Sequence, residues 1–289
     1  MASIYKCITS YKLPSSIKGF GGLGYDNKGE LIVGPIIFDF GGPWASYDEM
    51  YKKAMDKQLA LADGSALFDG WRRNGLRERL EMFRAEGMGD ILAKVTDKTP
   101  TLVHGDFDLL NMMFDPATNT ITGLLDFDFA HIASPADEFF YSFGETRGLV
   151  TAIFEEKIEV IKLRQFLIGE AELSQLAPPL VDSLSTSTDE TPLAEASIKE
   201  TDAGWSDGIG IDWALAAKWN TALITAGATR PRDLDGLGEL SNLYWFIQEV
   251  CSPYMLMPRW LARFNEQEKL EKVANVEKRL VKCLEHWGY

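Results

Sequence analysis

The chain has 289 residues, of which 46% are apolar, and its formal net charge is −14. This length suits one large domain or two modest ones, with enough apolar residues for a proper core. The negative charge argues against nucleic acid and against membrane surfaces as partners, since both attract basic patches. The charge would suit a small cationic substrate, although solubility is the ordinary explanation of such a charge.

The cysteines and the N-terminal segment indicate a compartment. Cys7, Cys251 and Cys283 are few, odd in number and widely spaced, so neither a disulfide framework nor a C-x-x-C metal site is expected. The first residues contain no apolar signal segment, and no run of 18 apolar residues occurs. These features predict a cytoplasmic protein.

The first segment, residues 1–45, is predicted to contain a short helix and then a hairpin over residues 19–36. Apolar stretches flank Asp26-Asn27-Lys28-Gly29, which is a favourable turn sequence. A second segment, 46–176, begins with apolar residues at three- and four-residue spacings, which predict a helix from Ser46. Another helical stretch runs from Trp71 to Leu92, with glycines at positions 75, 87 and 89 interrupting it.

A short strand at residues 101–103 leads into the sequence HGDFDLLN (104–111). Two further strands, 111–114 and 121–125, are predicted on either side of the turn 115–120. The remaining helices are predicted at 152–176, 211–227, 237–252 and 258–287. Residues 177–208 are rich in Ser, Thr, Asp and Glu, and we interpret them as a flexible acidic insert before the C-terminal helices of 209–289.

The segment HGDFDLLN and the later LLDFDF carry the polar residues most indicative of chemistry. By composition, the pattern H-G-D-x-x-x-x-N arises by chance in roughly one such chain in two thousand. A hairpin would bring Asp106, Asn111 and Asp126 into one cleft, and carboxylate and amide oxygens suit Mg²⁺ when a phosphate completes its shell. Asp106 would accept the proton of an attacking hydroxyl, while Asn111 and Asp126 would hold the metal. The competing explanation is that these residues serve turns and caps.

The sequence HGDFDLLNMMF, followed by ITGLLDFDFAHIASPADEF, resembles the catalytic segment of the aminoglycoside phosphotransferase and choline kinase group. Members of this group are small-molecule relatives of protein kinases, with the same order and spacing of the catalytic loop and the metal-binding aspartate. GPWASYDEMYKKAM also resembles the helical region that precedes the catalytic loop in fungal members. The resemblance implies MgATP-dependent phosphoryl transfer to a small-molecule hydroxyl.

Residue by residue, the resemblance implies that Asp106 is the catalytic aspartate and that Asn111 and Asp126 bind the metal. His104 and Asp128 are candidates for supporting roles behind these groups, with His104 as a base the less favoured alternative. Asp137 resembles an aspartate that anchors the following helix. The family's usual Gly-Asp-Pro is replaced here by Ala133-Ser134-Pro135, a small departure.

The resemblance also implies a fold, α+β and mainly helical, corresponding to the C-terminal large lobe of the protein-kinase-like fold with a small catalytic β-hairpin. The N-terminal small lobe, which supplies a phosphate-binding lysine and the adenine hinge, is expected to be absent from this sequence. Gly19, Gly21 and Gly24 fit G-x-G-x-x-G, but no lysine-bearing strand follows, so a tight hairpin is the favoured interpretation.

Two alternatives to a kinase stay open. A kinase-derived fold without an ATP lobe could perform other small-molecule chemistry, such as cyclisation, isomerisation or elimination, or the chain could be a binding pseudokinase. The first alternative is motivated by aromatic residues that could line a pocket: Trp205, Trp213, Trp219, Tyr244, Trp245, Phe246, Tyr254 and Trp260. Core packing is the ordinary explanation for most of them. A homo-oligomer also stays open.

Overall fold

The computed structural model describes residues 1–36, 41–155, 157–176 and 210–289, leaving aside the side chains of Pro253 and Tyr254. The strands are β1 (Gly21–Tyr25), β2 (Leu31–Gly34), β3 (Thr101–Val103), β4 (Met112–Asp115), β5 (Thr120–Leu124) and β6 (His131–Ala133). The helices are α1 (Ala2–Thr9), α2 (Tyr47–Asp63), α3 (Asp69–Arg73), α4 (Leu76–Met82), α5 (Met88–Ala93), α6 (Glu138–Tyr141), α7 (Ile158–Leu167), α8 (Leu173–Leu176), α9 (Trp213–Ala226), α10 (Leu237–Val250), α11 (Pro258–Arg263) and α12 (Glu266–His286).

The strands form two antiparallel sheets, one of four strands in the order β2-β1-β6-β3 and one formed by β4 and β5. The hairpin predicted at 19–36 is confirmed, and the Asp26 side chain fixes its turn by accepting the backbone N–H groups of Lys28 and Glu30. Gly21 has a φ of +144°, and a Cβ there would lie 2.5 Å from the carbonyl oxygen of Gly34. A glycine at position 21 therefore allows the two strands to pack closely.

The helix predicted from Ser46 is confirmed as α2. The Ser46 side chain caps it by accepting the N–H of Glu49, and its buried face includes Met50, Met55 and Leu59. The second predicted stretch is divided into α3, α4 and α5. Gly75, at φ +82°, precedes α4, and a π-helical turn at Phe83–Gly87 joins α4 to α5. The expectation that the glycine at position 89 breaks the helix is wrong, because it lies inside α5.

The C-terminal helices follow the predicted order with different boundaries. The stretch 152–176 contains α7 and α8, separated by a turn in which Gly169 has a φ of +80°. The stretch 258–287 divides into α11 and α12 at Asn265. Asn265 and Glu268 form a capping box, in which each side chain accepts the other residue's backbone N–H. A strong local capping signal thus overrides the continuous apolar pattern.

The α+β, mainly helical class is confirmed, and the described apolar residues form one core that includes Trp213, Trp219 and Phe246. The predicted insert 177–208, with Trp205, lies outside the described residues, as does the side chain of Tyr254. Among the residues that the structure describes, no helix combines the length and apolarity needed to cross a membrane. The division of the chain into four segments stays a prediction.

Candidate functional site

The two polar segments lie side by side because the strands that carry them are paired. Val103, the last residue of β3, lies opposite His131 of β6. Met112 of β4 lies opposite Leu124 of β5, and the Leu125 N–H donates to the Asn111 carbonyl at 2.8 Å. The catalytic loop, residues 104–111, therefore adjoins the segment that contains Asp126.

Asp106 and Asn111 are in direct contact. The Asn111 side-chain amide donates to Oδ2 of Asp106 and to the Asp106 backbone carbonyl, each at 2.8 Å. Both side chains are partly exposed, so a substrate can reach them. Because the amide nitrogen serves Asp106, the Asn111 side-chain oxygen is left for another partner.

His104 joins the catalytic loop to the Asp126 segment. It is fully buried, and its Nδ1 accepts the N–H of Asp106 at 3.2 Å while Nε2 lies 3.0 Å from the carbonyl oxygen of Leu125. Since Nδ1 accepts, Nε2 carries the proton and donates. With both ring nitrogens occupied, the geometry matches a supporting role and leaves neither nitrogen directed at substrate.

Glu138 holds the backbone of the catalytic loop, a role that sequence reasoning missed. Its carboxylate accepts the N–H of His104 at 2.7 Å and that of Gly105 at 3.0 Å. Ser142 donates its hydroxyl to the same carboxylate and accepts the N–H of Phe107 at 2.8 Å. Burial raises the pKa of Glu138, although these hydrogen bonds oppose the increase.

Asp137, which was expected to anchor the helix that follows it, does so through contacts with α2. Its side chain does not cap α6. It accepts the hydroxyls of Tyr47 at 2.6 Å and Tyr51 at 3.0 Å, both on α2, and so ties the start of α6 to an earlier helix. Burial raises the pKa of Asp137 to about 7 despite the two tyrosine hydrogen bonds. The adjacent carboxyl groups of Asp137 and Glu138 thus bind different elements, α2 and the loop 104–111, and the sequence alone could not assign these two roles.

Backbone conformation shapes both segments of the site. Gly105 has a φ of +79°, and a Cβ on it would lie 2.7 Å from the carbonyl oxygen of Phe129, so the loop approaches the second segment too closely for any side chain. Asp126 is not a glycine, yet it has a φ of +60°. Left-handed backbone at a non-glycine residue is uncommon and is concentrated at functional sites. Asp126 and Asp128 are both exposed.

A further carboxylate, Asp108, lies beside these groups and was not identified from the sequence. Its pKa is raised to about 6, first by burial and then by the nearby carboxylate of Glu145, with a smaller contribution from Asp106. Glu145 accepts the N–H of Leu109 at 3.0 Å, and Oδ1 of Asp108 is buried without a hydrogen-bond partner among the described residues. Asp106 therefore has further acidic groups on its Asp108 side.

The hairpin of β4 and β5 and the residues that flank it also present exposed apolar side chains next to the acids. Leu110 is 85% exposed, and large exposed fractions extend to Met113, Phe114, Leu125 and Phe127. Large exposed apolar side chains beside polar groups are typical of a binding surface. The adjacent loop 104–111 packs against the core, since buried Phe107 contacts Tyr5 of α1 with ring centroids 6.2 Å apart.

The side-chain oxygens of Asn111 and Asp126 suit Mg²⁺ better than a metal ion whose ligands all come from the protein. The described residues contain no group of three or more His, Cys, Asp or Glu side chains placed to hold a metal ion. Mg²⁺ in phosphoryl-transfer sites takes only one or two carboxylates, with phosphate oxygens and waters completing its octahedron. The Asn111 side-chain oxygen and the Asp126 carboxylate are hard donors of the required kind, so the residues present fit this ion.

Comparison with known proteins supports the same interpretation. A family model described as APH, phosphotransferase enzyme family, matches residues 43–157, a span that contains α2, the catalytic loop and the Asp126 segment. No curated protein and no solved structure matches the chain. The matched family is one of phosphotransferases, whose members generally use ATP and Mg²⁺. The resemblance in the catalytic segment is therefore confirmed by a match to the phosphotransferase enzyme family over residues 43–157.

Proposed function

We propose that this protein transfers the γ-phosphoryl group of MgATP to a hydroxyl group of a small molecule. Asp106 accepts the hydroxyl proton, and Asn111 and Asp126 provide the protein oxygens for Mg²⁺. The proposal takes the chain as the large lobe of a protein-kinase-like fold. It is supported by the family match over residues 43–157, by the hydrogen bond between Asn111 and Asp106, and by the Leu125 N–H bond that brings the Asp126 segment beside Asn111.

The observation that carries the proposal is the hydrogen bond from the Asn111 amide to Oδ2 of Asp106. It fixes one carboxylate oxygen and leaves Oδ1 of Asp106 to receive a substrate hydroxyl. The same contact turns the Asn111 oxygen away from Asp106. One asparagine thereby orients the base and supplies a metal ligand, which explains why both residue types are needed five positions apart.

In the reaction, the acceptor oxygen forms a bond to the γ-phosphorus as the bond to the β-phosphate oxygen breaks, giving a phosphorylated product and ADP. Asp106 hydrogen-bonds the hydroxyl, orients it and takes up its proton. Bound Mg²⁺ would neutralise charge on the phosphate oxygens. The protein's contribution is chiefly positioning, through the hydrogen bonds that His104 and Glu138 make to the loop backbone.

The acids near Asp106 also bear on the acceptor. Asp108 and Glu145 place negative charge on one side of the cleft, and the whole chain carries a formal charge of −14. A neutral or cationic hydroxyl compound is favoured over an anionic one, because like charge would oppose its entry.

The test is an ATP-dependent phosphorylation assay over a panel of hydroxyl compounds, with wild type and Asp106→Ala compared at equal protein concentration. We expect radiolabelled γ-phosphate to appear on at least one acceptor with wild type only. Phosphorylation unchanged by Asp106→Ala would sink the proposal. Circular dichroism of both proteins provides the control for folding.

A further inference from the structure

A second pocket lies away from the catalytic residues, in the groove between α2 and α10. The groove opens to solvent, and Ile36 after β2, His131 of β6 and Tyr141 of α6 complete its wall. Its lining includes Trp44, Tyr51, His131, Asp137, Tyr141 and Tyr244. Asp106, Asn111 and Asp126 are not among the residues around it, so its occupancy is a question separate from phosphoryl transfer.

Aromatic rings form much of the wall. The rings of Tyr141 and Tyr244 are 5.2 Å apart between centroids, and those of His131 and Tyr141 are 5.4 Å apart, both in edge arrangements. Burial raises the pKa of Tyr51, Tyr141 and Tyr244, so these phenols stay neutral. Neutral aromatic faces carry a negative quadrupole, which attracts cations.

Asp137 supplies a carboxyl group to this wall. It is 2% exposed and receives hydroxyl hydrogen bonds from Tyr47 and Tyr51. A carboxylate offers about four acceptor positions, so these bonds leave capacity for a further donor. Within the described parts of the chain, no Lys or Arg forms an ion pair with it. The charge of Asp137 is therefore left without a counter-charge in an apolar surrounding.

The other titratable groups facing Asp137 do not supply that counter-charge. Burial lowers the pKa of His131, whose Nδ1 donates to the Phe129 carbonyl, so the ring is neutral. Burial raises the pKa of Glu138, whose carboxyl group repels that of Asp137. Tyr47, Tyr51, Tyr141 and Tyr244 are neutral hydroxyls. An entering cation would thus meet an unneutralised acid behind aromatic faces.

We propose that this pocket binds a small organic cation, an amine or ammonium group with an apolar body. The charged group lies against Asp137, and the apolar body lies against the rings of Tyr51, Tyr141 and Tyr244. A neutral compound of the same shape gains the apolar contacts only. An anion is excluded by the carboxylate.

The test is calorimetric titration of 2-phenylethylammonium and of 2-phenylethanol, a neutral compound of similar size, into the full chain. We expect the ammonium compound to bind at least about tenfold more tightly at pH 8, a preference typical of a desolvated ion pair with cation–π contacts. Equal affinity for the two compounds, or saturable binding of neither, would overturn the proposal.

The affinity of the ammonium compound for variants of the pocket, and its dependence on pH, tests whether binding occurs at Asp137 and Tyr141. Tyr141→Phe keeps the ring and should bind within about twofold of wild type, whereas Tyr141→Leu should bind roughly fivefold more weakly. Asp137→Asn should abolish the preference for the ammonium compound. If that variant does not fold, the wild-type pH dependence decides the matter. Since the pKa of Asp137 is about 7, the affinity should fall about tenfold from pH 8 to pH 6. An affinity for the ammonium compound that does not change with pH contradicts the role of Asp137.

Discussion

The Asn111 side-chain amide donates to Oδ2 of Asp106 at 2.8 Å. In the proposed reaction Asn111 is therefore a metal ligand that also orients the base. Asn111→Ala removes both the orienting hydrogen bond and the metal oxygen. We expect kcat to fall by roughly 10²-fold or more, because small misplacements of reacting groups have effects of that size.

The measurement is steady-state kinetics with an acceptor found in the phosphorylation assay. Asn220→Ala provides a matched control, because it makes the same change on α9, where Ala favours the helix. Activity of Asn111→Ala equal to that of the control would show that the hydrogen bond is structural.

Glu138 should act on catalysis through the loop backbone. Glu138→Gln replaces one acceptor oxygen with an amide that faces a backbone N–H, leaving a buried donor of His104 or Gly105 unpaired. The expected loss is about 1–3 kcal/mol in the free energy of unfolding, together with a lower kcat at temperatures where the variant is folded. Thermal unfolding and kinetics measured on the same preparation separate the two effects.

The control for that variant is Glu285→Gln, an exposed position on α12. It should match wild type in both measurements. A Glu138→Gln protein with wild-type stability and wild-type kcat would contradict the anchoring role.

Asp137 predicts a specific pH dependence of stability. Its folded pKa of about 7 lies above the usual value of 3.8, so the unfolded chain loses this proton at lower pH than the folded chain does. Between pH 5 and pH 7 the carboxyl group therefore destabilises the fold progressively, by about 2 kcal/mol over the two units. Asp137→Asn removes this dependence.

We expect urea unfolding to show the stability of Asp137→Asn rising relative to wild type as the pH increases from 5 to 7, with no further relative change above pH 8. A stability difference that stays constant across this range would be inconsistent with a raised pKa for Asp137. The comparison is a difference between two proteins, so the titration of other acids cancels to first order.

Local signals in the sequence were sufficient for much of the fold. The turn residues Asp26 and Gly29 identify the first hairpin, and Ser46 identifies the start of α2, because each of these features depends on neighbours within a few residues. The division at Asn265 also had a local signal, the pairing of Asn265 with Glu268, which the continuous apolar spacing of 258–287 concealed.

Long-range relationships in the site were less accessible. Asp137 and Glu138 are adjacent acids, and only the packing of α2 on one side and of the catalytic loop on the other shows which of them anchors the loop. The second pocket is likewise formed by residues as distant in sequence as Trp44 and Tyr244. The family motif predicts roles for Asp106, Asn111 and Asp126 because their spacing is itself the signal.

The most direct test of the proposed function is calorimetric titration of MgATP into the wild-type chain and into Asp126→Asn. Asp115→Asn is the matched control, since Asp115 ends β4 in the same hairpin and its carboxylate accepts hydrogen bonds from Ala117 and Thr118. We predict saturable binding of MgATP to wild type and to the control. Binding to Asp126→Asn should be at least about tenfold weaker, because a neutral amide is a poorer magnesium ligand than a carboxylate. Absence of binding to wild type, or equal binding to Asp126→Asn, would contradict the account.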